Sequence, residues 1–171
     1  MDNWYPEQPP RFVDAGEFEA VIYASDRPEN SGAPGHSYAA FAIRRKGSTA
    51  YEIAAVGSDG DSEEYRGYAA AAVGAVEALS HKSKIVIRSH HKTIVSVFND
   101  WMPGWKKNGW KRRNKQPIAA VEILQRFDAI VAERNIDVEP FECVAKDDPQ
   151  FKAVFDRLAQ KIDSMAKRDK P

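Results

Sequence analysis

The sequence predicts a single α/β domain, with a five-stranded mixed sheet and helices on both faces. Three observations predict this class. The chain has 171 residues, about the length of one domain. Its composition is 43% hydrophobic and 29% charged, which is enough apolar material for a substantial core. The predicted elements follow the order β-β-β-α-β-α-α-β-α, and three hairpin-type strands followed by helical crossovers give a mixed sheet.

The first three strands are predicted from alternating side chains. Residues 18–25 place apolar side chains on both faces, which is typical of a covered central strand. A long turn rich in proline and glycine follows over residues 26–35. Residues 38–45 and 51–56 are the next two strands, joined by a short turn at Gly47. Together they form an antiparallel start to the sheet.

Helical spacing alternates with strands in the second half. A helix is predicted from Ser62, as its N-cap, to Leu79, followed by a strand over residues 84–88. Residues 93–99 form a helical segment, and apolar residues recurring through 121–131 mark a longer helix. A last strand over residues 136–143 is interrupted by Pro140, which suits a sheet edge. The final helix starts at Asp148, as N-cap, with Pro149 as its first residue.

Domain boundaries follow from composition. Residues 1–17 are predicted to be a flexible N-terminal arm, 18–164 the folded domain with a protrusion at about 101–117, and 165–171 a frayed tail.

Cys143 is the one cysteine, which excludes an intrachain disulfide framework. No apolar stretch approaches the ~18 residues that a membrane span needs, and no signal sequence is visible. We therefore expect a cytoplasmic protein that does not bind membranes.

Charge is distributed unevenly although the formal net charge is zero. Between Trp101 and Val121 the chain has no acid and six basic residues: Lys106, Lys107, Lys111, Arg112, Arg113 and Lys115. Such a segment either binds a negatively charged partner or is a solvated surface.

Three tryptophans are interleaved with these cations. The segment reads Trp101-Met102-Pro103-Gly104-Trp105-Lys106-Lys107-Asn108-Gly109-Trp110-Lys111, followed by Lys115-Gln116-Pro117. With the element order, it resembles type 1 ribonuclease H over roughly residues 18–164. The resemblance implies a ribonuclease H-like fold, and an activity in which two divalent cations about 4 Å apart hydrolyse the RNA strand of an RNA–DNA hybrid. It also implies that residues 101–117 are a basic helical protrusion, or handle, that holds the hybrid. The implied nucleic-acid-binding residues are Trp101, Trp105, Lys106, Lys107, Trp110, Lys111, Arg112, Arg113 and Lys115.

The family supplies four acids as metal ligands, and this chain departs from that pattern. The four positions fall on Ser25, Tyr68, His90 and Asp156, so that only the last is an acid. Nearby candidates are Asp26, one residue beyond Ser25 and so on the opposite strand face, and Glu64, about 6 Å along the helix from Tyr68. With His90 and Asp156 they make, at best, one asymmetric site for Mg²⁺ or Mn²⁺.

The leading hypothesis is therefore a pseudoenzyme. It binds RNA–DNA hybrid or duplex through the handle, with little or no hydrolysis and without a cofactor. The first alternative is a divergent metal-dependent ribonuclease H with a shifted metal site, which requires Mg²⁺ or Mn²⁺. The second is a protein–protein interaction module. Each residue also has a purely structural interpretation, in which the tryptophans form a small core, Tyr68 is a packing residue, His90 and His91 are loop residues, and Asp156 is a surface acid.

Overall fold

The computed structural model describes residues 9–26, 37–59, 66–112 and 114–168. Much of the predicted arm and of the first long turn, Glu64 with the predicted start of the first helix, and Arg113 lie outside these residues. The strands are β1 (Glu17–Asp26), β2 (Ser37–Arg45), β3 (Glu52–Asp59), β4 (Lys84–Ser89), β5 (Asp137–Val138) and β6 (Glu142–Cys143).

These strands form one mixed sheet with the order β3-β2-β1-β4-β5, in which β6 also pairs with β4. The β1–β2 and β2–β3 pairs are antiparallel, whereas β4 runs parallel to β1, β5 and β6. The predicted last strand is present as two short pieces on either side of Pro140, because proline has no N–H to donate to a sheet. The predicted mixed sheet is thus confirmed, with its fifth strand divided.

The helices are α1 (Arg66–Glu77), α2 (Lys92–Ser96), α3 (Met102–Lys107), α4 (Val121–Arg134) and α5 (Lys152–Arg168). A π-helical turn, Val97–Trp101, joins α2 to α3. The helical segment predicted over 93–99 therefore continues into the handle as far as Lys107. None of the described helices is long and apolar enough to cross a membrane.

The sheet is covered on both faces, as predicted. Phe18, Ala20 and Ile22 of β1 lie in the larger core, with α1 and α4. Val21, on the opposite face, packs in a second core with Phe155, Leu158 and other residues of α5. This is the two-faced burial that the apolar alternation of β1 indicated.

An ion network joins three strands on the α5 face. One carboxylate oxygen of Glu19 in β1 accepts hydrogen bonds from Arg44 (3.1 Å), Tyr51 (2.9 Å) and Arg88 (3.2 Å). Arg88 also donates to Glu142 at 2.9 Å, which ties β6 to β4. Because Arg44 and Arg88 each pair with a carboxylate, their positive charges can be partly buried.

The folded region extends slightly beyond the predicted boundaries at both ends. Phe12 donates its backbone N–H to Ala78 at 2.9 Å and packs on Phe18, with the ring centroids 4.8 Å apart. At the other end α5 continues to Arg168, with Met165 and Ala166 buried. The Asp148 side chain accepts the N–H of Gln150 at 2.8 Å, and its carbonyl accepts the N–H groups of Phe151 and Lys152, so Asp148 caps a turn that leads directly into the helix. The helix itself begins later than predicted, at Lys152.

Candidate functional site

The four positions at which the resemblance implies acids lie around one edge of the sheet. Ser25 is next to the last residue of β1, and His90 directly follows β4. Because β1 and β4 are parallel, their carboxyl ends point to the same edge. Tyr68 reaches this edge from α1 and Asp156 from α5. The positions that the sequence singled out thus belong to one region of the fold.

Tyr68 and His90 contact each other directly. The Tyr68 hydroxyl lies 3.2 Å from Nε2 of His90, within hydrogen-bonding distance. Tyr68 is buried, and its ring stacks on His91 with the centroids 4.4 Å apart. Two of the three non-acidic replacements therefore satisfy one another's polar groups.

Further rings surround this pair and form an aromatic cluster, which we define as Tyr23, Tyr68, His90, His91 and Phe155. The His90 ring stacks on Phe155, with centroids 5.8 Å apart and planes 17° apart. Tyr23 meets His90 edge-to-face at 5.3 Å and Phe155 at 6.3 Å. The cluster gives this edge of the sheet a largely aromatic lining.

Sequence reasoning missed two members of the cluster, although both had a signal. Tyr23 lies two residues before Ser25, so both point to the same face of β1. Phe155 immediately precedes Asp156 in α5. Both residues belong to apolar patterns that are typical of core positions. Their contact with His90 arises because α5 packs across the end of the sheet.

His90 is uncharged at neutral pH in this setting. Burial, together with the nearby charges of Lys146 and His91, lowers the pKa of His90 to about 4. His91 has a separate role, since its Nδ1 accepts the backbone N–H of Ile94 at 3.1 Å and so caps α2. Neither imidazole brings negative charge to this edge.

Asp156 is exposed and has a cationic partner. Its Oδ2 accepts a hydrogen bond from Lys152 Nζ at 3.0 Å, one helical turn earlier in α5. The ammonium group of Lys152 thus lies beside Asp156, the one acid that this chain has at the four family positions. An exposed pair of this kind is worth only about 0.5 kcal/mol.

The described residues do not fit a pair of divalent cations. Among them, no three His, Cys, Asp or Glu side chains are close enough together to hold a metal. The β1–β2 register runs from Phe18 to Asp26 without a shift, so the backbone has no bulge that would reorient the end of β1. The side chain of Asp26 and all of Glu64 lie outside the described residues.

The handle combines packed and exposed aromatic residues. Trp105 and Trp110 are half-buried and pack against the main core, whereas Trp101 is 47% exposed. Lys106 is paired with Asp128 of α4 at 2.6 Å. The remaining described cations of the handle are exposed: Lys107, Lys111, Arg112 and Lys115. Among the described residues of the handle, Trp101 and these four cations are therefore accessible to a partner, and Lys106 is also exposed but pairs with Asp128.

The root of the handle is fixed to the edge of the sheet. The Asn99 amide donates to the carbonyl of Phe141 at 2.9 Å and accepts from its N–H at 2.8 Å. Phe98 stacks on Phe141, with the ring centroids 4.3 Å apart. A groove of about 520 Å³ runs beside this contact, lined by residues that include Met102, Lys107 and Phe127. These contacts hold the first part of the handle in a defined orientation.

Comparison with known families gives a consistent result. A family model described as RNase H matches residues 19–161. A ribonuclease H of Dinoroseobacter shibae is 31% identical over 111 residues, which cover 64% of this chain and 71% of that protein. A ribonuclease H of Alcanivorax borkumensis is 39% identical over 67 residues, 39% of this chain and 44% of that protein. The chain spans about half the length of most of the curated relatives that it matches.

Solved structures agree on the fold. LC9-RNase H1, described as a type 1 RNase H with the type 2 active-site motif, superposes with a TM-score of 0.70 at 15% identity, covering 93% of this chain and 76% of that one. A foamy viral protease-reverse transcriptase in complex with an RNA/DNA hybrid gives a TM-score of 0.61 at 16% identity, covering 94% of this chain and 21% of that one. At these identities the likeness concerns the fold.

Proposed function

This chain belongs to the ribonuclease H family, and from that premise we propose that it binds an RNA–DNA hybrid or a nucleic-acid duplex through its handle, with little or no hydrolysis. The observation that supports this most is the contrast between two regions. The handle presents Trp101 and four exposed cations. The edge with the four family positions presents rings, a neutral imidazole and a carboxylate paired with Lys152.

Electrostatics supports binding at the handle. Lysine and arginine bind phosphate oxygens without reading sequence, and each contact releases counterions from the nucleic acid. The partners of the similar reverse transcriptases, an RNA/DNA hybrid in one structure and dsDNA in another, are of this chemical class. The handle therefore has the chemistry needed to hold a phosphate backbone.

Electrostatics also argues against the family's usual chemistry at the sheet edge. Two divalent cations need several carboxylates to balance their charge. Tyrosine and serine hydroxyls and a neutral imidazole contribute none of that charge. These four positions therefore do not support metal-dependent cleavage.

The enzyme alternative remains a second candidate because the curated relatives are named ribonuclease H. It requires a shifted metal site that includes Asp156. It predicts cleavage in Mg²⁺ or Mn²⁺ that is abolished in Asp156→Asn. It also requires Asp156 to leave its pairing with Lys152.

The test uses a fluorescent RNA–DNA hybrid, followed for cleavage in Mg²⁺ and Mn²⁺ and for binding in EDTA. We expect the hybrid to stay intact and to bind, with an affinity that falls steeply between ~50 and 200 mM salt. The combined variant Lys107→Gln, Lys111→Gln, Arg112→Gln should bind at least tenfold more weakly and with a shallower salt dependence. Cleavage that Asp156→Asn abolishes would establish the enzyme alternative instead.

A matched control separates local contacts from total charge. The triple variant Lys46→Gln, Lys161→Gln, Lys167→Gln removes the same formal charge outside the handle, and we expect a much smaller loss of affinity. Equal losses in the two triple variants would overturn the assignment to the handle. Absence of any binding at ~50 mM salt would overturn nucleic-acid binding altogether.

A further inference from the structure

A depression of about 270 Å³ opens beside the aromatic cluster. Tyr23 and Phe155 line one part of it, and Lys146, Asp147, Lys152 and Asp156 line the rest. Its volume is slightly below the roughly 300–1,000 Å³ of sites that bind whole small molecules. The space thus suits one small, flat group better than a long ligand.

The ring of Tyr23 is held in place but remains partly accessible. Edge-to-face contacts with His90, at 87° between the planes, and with Phe155, at 74°, fix the orientation of the ring. Lys146 Nζ lies over this ring, 5.6 Å from its centroid, and the lysine itself is exposed. A face of Tyr23 that a flexible lysine covers can be reached by a ligand, at the cost of moving that side chain.

The charges around the depression favour a group with both donors and acceptors. Two lysines and two aspartates line it, so their formal charges cancel, and Lys152 already pairs with Asp156. A bare anion therefore gains little here. A nucleobase presents ring acceptors and amino or imino donors, and it stacks on aromatic rings regardless of its identity.

We propose that this depression binds one unpaired nucleobase, stacked on Tyr23 and flanked by Lys146, independently of any metal. The proposal rests on the proposed nucleic-acid binding and adds a second contact beside the handle. In this proposal the aromatic cluster contacts a ligand whose binding requires no acidic side chain at this edge of the sheet.

The experiment compares two hybrids in EDTA, one blunt and one with a short single-stranded extension containing 2-aminopurine. Stacking on a tyrosine ring quenches 2-aminopurine, so we expect the extended hybrid to lose fluorescence on binding and to bind several-fold more tightly than the blunt one. Tyr23→Ala should abolish both effects while leaving the affinity for the blunt hybrid unchanged. Tyr23→Phe, which keeps the ring, should retain them.

Lys146 provides an independent variant on the surface. Lys146→Ala should reduce the advantage of the extended hybrid, whereas the control Lys167→Ala, also an exposed lysine, should leave it unchanged. If 2-aminopurine fluorescence does not change when the wild-type protein binds, the proposal is overturned without recourse to any variant. Normal binding of the blunt hybrid in that case would leave the proposed function standing, whereas loss of all hybrid binding would overturn both.

Discussion

His90 illustrates at the residue scale how this edge of the sheet is stabilised without acids. In an acidic site each carboxylate repels its neighbours until cations neutralise the charge. Here the imidazole is neutral, its Nε2 lies 3.2 Å from the Tyr68 hydroxyl, and its ring stacks on Phe155. Burial that would be unfavourable for a cluster of charges is favourable for these rings.

The pKa of His90 predicts a dependence of stability on pH. Its folded-state pKa is about 4, below the ordinary value of 6.5, so the unfolded chain takes up a proton that the folded chain does not. The stabilisation is complete above about pH 6.5 and is lost as the pH falls toward 4. Allowing for partial exposure, we expect a loss of about 2 kcal/mol in the free energy of unfolding over this window.

Urea denaturation of His90→Gln at pH 7.5 and 4.5 checks this prediction. The variant should lose less stability than the wild type over that range, because glutamine does not titrate. His81→Gln is the matched control at an exposed position, and its pH dependence should equal that of the wild type. Equal pH dependence in all three proteins would contradict the assigned role of His90.

The residue scale also shows where sequence reasoning reached its limit. Residue-by-residue comparison with the family located Ser25, Tyr68, His90 and Asp156, and the fold brings these positions to one sheet edge. The contact between Tyr68 and His90 spans 22 residues, and that of Lys152 with Asp156 depends on rotamers. The first contact does not follow from spacing, since it depends on how α1 packs on the sheet. The second joins residues i and i+4 of α5, a pair that helical spacing permits.

At the scale of elements, α1 packs directly against the sheet through small side chains. Its alanines Ala69, Ala71, Ala72 and Ala75 are fully buried. A Cβ atom built on Gly74 would lie 2.6 Å from Cε1 of Phe41 and 3.3 Å from Cγ2 of Val56. Small residues along this face therefore set the distance between α1 and β2.

Gly74→Ala tests that close approach. Alanine is favoured over glycine within a helix by about 1 kcal/mol. The clash with the buried ring of Phe41 should outweigh this gain, as overpacking costs about 1–3 kcal/mol. We expect net destabilisation, measured by thermal or urea unfolding.

Gly104→Ala in α3 is the matched control, since nothing lies within 4 Å of its Cβ position, and it should be neutral or slightly stabilising. Stabilisation by Gly74→Ala would show that α1 can move away from β2.

The handle should separate stability from binding. Trp105 packs against the core and Trp101 is 47% exposed, although both lie in the same basic segment and the sequence alone does not distinguish them. Trp105→Ala should lower the free energy of unfolding by about 2 kcal/mol, through loss of buried aromatic area. Trp101→Ala should change stability by less than about 0.5 kcal/mol and yet weaken hybrid binding. Unfolding and hybrid titrations of both variants decide this, and a stability loss in Trp101→Ala equal to that of Trp105→Ala would contradict it.

Alternation and one of the prolines predicted features of the sheet correctly, whereas Pro103 lies inside a helix and Pro149 precedes the start of α5. The alternation at Phe18–Ile22 and the break at Pro140 both have their predicted consequences in the sheet. The helical character of the protrusion was predicted, but the uninterrupted run of helical turns from Lys92 through the π-helical turn to Lys107 was not. Its glycine and proline are loop signals, and here the packing of Phe98 and Met102 overrides them.

On the scale of the whole molecule, the chain combines the mixed sheet of the ribonuclease H fold with a basic segment at 101–117 and a largely aromatic lining, among the described residues, at one sheet edge. These features are compatible because fold stability resides in the two cores on either side of the sheet. Of the four family positions, Ser25, His90 and Asp156 lie outside those cores, whereas Tyr68 is a member of the larger one. Three of the four positions can therefore differ from the family pattern without altering either core.

Restoring the acids provides a test of this separation. In the triple variant Ser25→Asp, Tyr68→Glu, His90→Asp, three new carboxylates join Asp156, and their mutual repulsion together with the lost ring contacts should lower the melting temperature in EDTA. Mg²⁺ should then raise the melting temperature of the variant, because a cation that binds only the folded state stabilises it. The wild type should melt at the same temperature with and without Mg²⁺, and Asp156→Asn added to the triple variant should reduce its response. A rise in the wild-type melting temperature at low millimolar Mg²⁺ would mean that a metal site is already present, and the enzyme alternative would then become the better account of this protein.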